Sequence, residues 1–224
     1  MALPHEEKPL GLQVPPVPLG VEIPPEPPDV GARALSVGAR LLAGASVFFF
    51  LAFVFAYFYL RSLNAHGMWK PAHVGPDQAL GAAFALCTVL SALAMIAAGR
   101  QLKRGERAWT VAAGAGLGLG VVAIALQCIE YTVQKFGPTD GAYASVFCAW
   151  TAFYLLAALG TMYWLETHLA TELRARREPA AEADESGDIK DADRLIAPGL
   201  DAAVFYWSFL AGIGLLMYIV LYLL

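Results

Sequence analysis

Five stretches of the chain are free of charged residues and long enough to cross a bilayer. They run over Leu41–Leu60, Ala79–Gly99, Ala108–Ile129, Gly141–Leu165 and Ala202–Leu224. About twenty apolar residues are what an α-helix needs to span the hydrocarbon layer. Backbone donors and acceptors have no water partner there, so a segment of this kind must satisfy them internally as a helix. The pattern predicts an all-α, polytopic membrane protein with five transmembrane helices, about 41–60, 79–99, 108–129, 141–165 and 202–224. Two segments fall outside it. Residues 1–33 are rich in proline, which fixes φ and removes backbone donors, and read as an extended cytoplasmic tail. Residues about 178–194 are acidic and lack aromatics, and read as a mobile loop. The membrane domain is then 34–224.

Charge placement gives the orientation. Of the fifteen Lys and Arg residues, only Arg61, Lys70 and Lys135 fall in the loops after the first and third helices. The others lie in the tail, between the second and third helices (Arg100, Lys103, Arg104, Arg107), and between the fourth and fifth (Arg174, Arg176, Arg177, Lys190, Arg194). Basic loops stay in the cytoplasm. The expectation is an N-terminus inside and a C-terminus outside. Tyr57, Tyr59 and Trp69, and at the other end Trp109, Tyr163 and Trp164, stand where aromatic belts belong.

Composition adds less than pattern. Apolar residues make up 58% of the 224 and charged residues 15%, against about a quarter charged in soluble domains. No basic stripe interleaved with aromatics suggests a nucleic-acid partner. Cys87, Cys128 and Cys148 have no paired spacing and read as small hydrophobes. His5, His66, His73 and His168 all lie outside the middle of the predicted spans, and His66 with His73 lacks the further ligands a metal site requires. No residue is assigned a catalytic, cofactor-binding or metal-binding role.

Two features stand out in or at the edge of the spans. Gln127 and Glu130 lie three apart near the outer end of the third helix and share a face. A carboxyl at that depth is costly unless it is paired, hydrated or protonated. They are the candidates for a buried polar contact, with a glutamate reaching the outer interface as the alternative. The run "GAGLGLG" puts Gly114 with Gly118 on one face and Gly116 with Gly120 on another. Small residues four apart let helices approach closely in lipid.

Four segments together resemble a known family. Asp140–Thr151, "DGAYASVFCAWT", matches the pattern of subunit III of haem-copper oxidases at Asp140, Gly141, Tyr143, Ser145, Phe147 and Thr151. So do "AYFYLR" at 56–61 followed by Trp69 and Pro71, then Gln127, Glu130 and Tyr131, and finally Tyr206, Trp207 and Phe209. The chain is similar to the short five-helix bacterial form, whose N-terminus is inside, and this resemblance implies a multi-pass protein of a bacterial plasma membrane. It departs where the family usually carries buried ionisable groups: Ser46 stands for a glutamate, Tyr154 and Ala157 for two histidines, and Ser208 and Ala211 for the histidine and aspartate of the last helix.

The resemblance implies a non-catalytic integral subunit of a terminal oxidase. It would pack mainly on subunit I and also meet subunit II. It would stabilise subunit I and support proton uptake in aerobic electron transport. Haem and copper are expected in those partners, with none in this chain, and bound phospholipid is expected with it. Tyr143, Tyr206, Trp207, Gly114 and Gly118 are the candidates for lipid or subunit packing. Two alternatives stay open. One is the related accessory subunit of a nitric oxide reductase. The other is a small independent transporter, although no proline interrupts the five runs and no internal repeat is visible.

Overall fold

The computed structural model describes residues 28–64, 67, 69–72, 74–106, 108–175 and 187–224. They form five long helices: α1 (Pro28–Ser62), α2 (Gln78–Lys103), α3 (Trp109–Val133), α4 (Ala142–Ala175) and α5 (Gly187–Tyr218). A single π turn, Ile219–Leu223, continues α5. Each helix contains a stretch apolar and long enough to cross a membrane, and no strand occurs among the described residues. This agrees with the fold class read from the sequence.

The ends differ from the sequence reading. Helix α1 starts at Pro28, whose missing N–H and preset φ suit the first helical position. Six residues assigned to the tail are therefore helical, and residues 1–27 lie outside the described set. Helix α4 continues past its last lipid-compatible residue to Ala175. Helix α5 begins at Gly187, inside the stretch expected to be a mobile loop; residues 176–186 lie outside the described set. The reason is common to all three. Charge-free runs mark where a helix meets hydrocarbon, whereas the hydrogen-bonded ladder continues into water as long as the residues favour it.

Helices α2 and α3 form the most extensively packed pair, joined by a short turn. Asp77 caps α2, its Oδ1 accepting from the N–H groups of Ala79 (2.8 Å) and Leu80 (3.1 Å). At the other end Gly105 adopts φ +70°, and the N–H groups of Gly105 and Glu106 reach back to the carbonyls of Leu102 and Gln101. This pair of bonds satisfies the orphan carbonyls of the last turn and reverses the chain. Asp77→Ala is expected to cost about 1 kcal/mol, the usual value of such a cap. Amide exchange of Ala79 and Leu80 should quicken while the middle of α2 is unaffected.

Glycine sets how close α3 can come. A Cβ at Gly116 would lie 2.8 Å from Met95 Cγ and 3.2 Å from its backbone N, and one at Gly120 would meet the Met162 side chain and Ser91 Oγ. Gly114 and Gly118 face outward, with nothing near them. The spacing therefore placed two small-residue faces correctly, but the internal contact uses the second. Helix α5 lies at the centre of the bundle, touching α1, α2 and α4. Helix α1 is the most outward-facing, with Phe48, Phe55 and Leu41 largely exposed along it.

Candidate functional site

A polar junction closes the end of the bundle where α2 begins and α3 ends. Its centre is Glu130, 1% exposed. Gln127 Nε2 donates to Glu130 Oε2 at 3.0 Å, and the Tyr222 hydroxyl donates to the same oxygen at 2.5 Å. Glu130 does not reach out to the interface. The three-residue spacing brings Gln127 onto its face, and the π turn supplies the third member from 92 residues away.

The π turn is the reason several helices converge here. Carbonyls at the end of a helix have no partner within it. Three of them are taken up by side chains from three different helices. Gln78 Nε2 of α2 donates to the Tyr222 carbonyl. The Tyr143 hydroxyl of α4 donates to Leu221 O at 2.5 Å, and Arg61 Nη1 of α1 to Leu224 O at 2.9 Å. With Glu130 of α3 holding the Tyr222 hydroxyl, every other helix contacts this turn. The ring of Tyr222 lies over Gly81, where any side chain would collide with it.

Around the junction an aromatic layer excludes lipid. Tyr57, Trp69 and Tyr143 stack edge to face, with ring centres 5.1 to 6.4 Å apart. Lys70 Nζ sits 4.3 Å from the centre of the Tyr143 ring. Partial burial holds the Lys70 ammonium below its ordinary pKa, and the nearby Arg61 charge adds to the effect. Tyr131 donates to Thr151 Oγ1 at 2.6 Å, tying α3 to α4.

The other sequence-selected residues fall elsewhere in the bundle. Tyr143 is fully buried and packs within the chain. Trp207 is 1% exposed and donates through Nε1 to Ser91 Oγ at 3.0 Å; Ser91 in turn donates to Gly116 O at 2.6 Å. Tyr206 is also buried, its hydroxyl 2.9 Å from Ser46 Oγ. Only Gly114 and Gly118 remain on an outer surface, available to lipid or a neighbour. His168 packs against Gly199 and Trp164 at the opposite end of the bundle. His5, His66 and His73 lie outside the described residues. Among the described residues, no three His, Cys, Asp or Glu side chains converge as metal ligands would.

Three of the five positions that depart from the family pattern, Ser46, Tyr154 and Ala157, lie together. Ser46 and Ala157 line one shallow cavity of about 320 Å³ with Tyr206 and three phenylalanines. Tyr154 sits behind it, its ring 6.3 Å from that of Phe50 and its hydroxyl donating to Leu210 O at 3.1 Å. Where the resemblance expects ionisable groups, this chain has a hydroxyl pair and an apolar wall. Nothing in the sequence alone put residues 46, 157 and 206 together.

Five apolar helices, the fifth of them central, closed by buried hydrogen bonds, define a multi-pass helical membrane protein. Comparison with known proteins gives the family. The model of "Cytochrome c oxidase subunit III" matches residues 29–175, two thirds of the chain, and the chain belongs to that family. Among curated proteins it is 27% identical over 197 residues to cytochrome c oxidase subunit 3 of Tachyglossus aculeatus aculeatus. It is 28% identical to the proteins of that name from Ornithorhynchus anatinus and Formosania lacustris, again over 197 residues. In each case the match covers 85% of this chain and 69% of the relative.

Proposed function

We propose that the chain is the non-catalytic subunit III of a terminal haem-copper oxidase. It stabilises subunit I, its main contact, and supports proton uptake there; it also meets subunit II. The observation that carries this reading is the family match, which runs from the first turns of α1 to the end of α4. The architecture supports it. Buried polar groups at the Glu130 junction bond to one another within the chain, and the outer faces of α1 and α3 are left apolar. That combination suits a scaffold that binds neighbours and lipid. Haem and copper belong to the partners in this reading.

In this reading the basic end of the bundle faces the cytoplasm of a bacterium, an orientation that the charge bias supports. At that end a groove of about 610 Å³ runs between α1, α2 and α5, with Arg40 and Lys103 at its rim and Phe205 and Val204 in its wall. Lys103 pairs with Asp201 at 2.6 Å. Cationic rim and apolar wall suit a phospholipid, headgroup outward and acyl chain inward.

The test is purification through a tag on this chain in mild detergent, followed by an optical spectrum and mass spectrometry. Haem and homologues of subunits I and II should travel with it, and the preparation should consume oxygen. Nitric oxide consumption in place of oxygen would move the chain to a nitric oxide reductase. A colourless chain recovered alone, even after cross-linking in intact membranes, would overturn the subunit reading in favour of an independent transporter.

A further inference from the structure

The Glu130 junction has a second side. Both protein donors that reach its carboxyl bond to Oε2; Oε1 receives no hydrogen bond from any described group. Gln127 Oε1 and Gln134 Oε1 are likewise buried without a donor. Three acceptor oxygens in this state would each cost about 1–3 kcal/mol if left dry. Glu130 and Gln134 also line a cavity of about 260 Å³, with Asp77, Lys135 and Val133 around it. A water molecule occupies about 30 Å³ of liquid, so the cavity holds several, and its walls are polar enough to keep them.

We propose that this cavity is a water-filled port and that Glu130 is a proton-exchanging carboxyl served by it. The proton moves from a hydronium ion in the cavity to Oε1, leaving water behind, and returns by the same route. Oε2 keeps its bonds from Tyr222 and Gln127 throughout, so the junction stays closed while the charge changes.

A metal cation fits less well. Asp77 Oδ1 is already committed to capping α2, and the Lys135 ammonium lines the same space. What remains falls short of the six or more oxygens a hard cation such as calcium gathers. The titratable and charged groups that face the site are Asp77 from the start of α2, Tyr131 on α3, Lys135 beyond it, Tyr143 on α4 and Tyr222 in the π turn.

The experiment uses the chain in its native assembly, reconstituted in sealed vesicles and followed by infrared spectroscopy. Glu130→Gln identifies the relevant carboxylic C=O band by its loss. Glutamine keeps an acceptor for Tyr222 and for Gln127, so this variant folds. Val133→Trp fills the cavity and leaves Glu130 in place. Labelling of Lys135→Cys with a membrane-impermeant maleimide reports which aqueous side the port faces, so the result does not depend on the assigned orientation.

The expected result is a Glu130 carboxylic band that is present when the bathing solution is acidified and lost when it is made alkaline. The band should shift at once on mixing with D2O. In Val133→Trp that shift should be at least about tenfold slower, because exchange then waits on local opening. Absence of a protonated Glu130 band at every pH at which the assembly stays intact would overturn the proposal. So would exchange in Val133→Trp as fast as in the parent, or a Lys135→Cys thiol that reacts with the maleimide from neither side.

Discussion

Trp207→Ala is expected to lower the stability of the chain by about 3 kcal/mol, the low end of the range for removing a buried tryptophan. The low end applies because a helix separated in lipid loses packing but gains no exposure to water. Trp207 fills the space between α5 and the α2–α3 pair and donates to Ser91, which donates to Gly116. Its removal opens a cavity and leaves Ser91 with one partner fewer, where α3 is held close by the absence of a side chain at Gly116. At 2–4 °C per kcal/mol for a chain of this size, the melting midpoint should fall by roughly ten degrees. Trp207→Phe keeps most of the volume and loses one hydrogen bond, about 1 kcal/mol. Near-ultraviolet circular dichroism on heating the purified chain in detergent checks both. Equal losses in the two variants would show that the hydrogen bond matters more than the volume.

The second large effect is at Glu130, where two substitutions separate charge from hydrogen bonding. Glu130→Leu leaves the Tyr222 hydroxyl and the Gln127 amide as buried donors with no acceptor. Each unsatisfied group costs about 1–3 kcal/mol, so the junction should lose about 2–6 kcal/mol. The damage should spread to the π turn, because Tyr222 is held there by its hydroxyl. Protease sensitivity of the last turn of α5 should rise well before the rest of the bundle opens. Glu130→Gln should cost less than about 1 kcal/mol, since it retains an acceptor for Tyr222. If the leucine variant were as stable as the glutamine one, the hydrogen bonds at Oε2 would not be holding the turn.

These residues also mark what was legible in the sequence. The five spans were, because lipid tolerates so few polar residues that each crossing is written as an uninterrupted run. Gln127 and Glu130 were legible as a pair, because a helix brings residues three apart onto one face. Tyr222 was not. It comes from a π turn, and no local pattern near Leu221 or Tyr222 announces a change of hydrogen-bond register. Gly114 and Gly118 could not be distinguished from Gly116 and Gly120 by spacing; only the positions of Met95 and Met162 decide which pair faces inward. Aromatic residues near the rim were read as candidate lipid contacts, yet Tyr143 and Trp207 are internal because their polar atoms find partners on other helices. The helix ends were least visible, since nothing in hydropathy marks where a helix stops once it has left the membrane.

The packing has a bearing on the order of assembly. The α2–α3 hairpin combines the most extensive contact with one of the shortest connections, so little chain entropy opposes it. It can close as soon as both arms have crossed the bilayer. Helix α1 is in the opposite position. Its most extensive contact is with α5, and the Ser46–Tyr206 pair that joins them spans 160 residues. During synthesis α1 enters the membrane before the other four yet waits longest for its partner, with its phenylalanines turned to lipid throughout. A nascent chain stalled before α5 would therefore hold a finished hairpin beside an unclaimed first helix. That helix is the part a membrane chaperone or protease would meet.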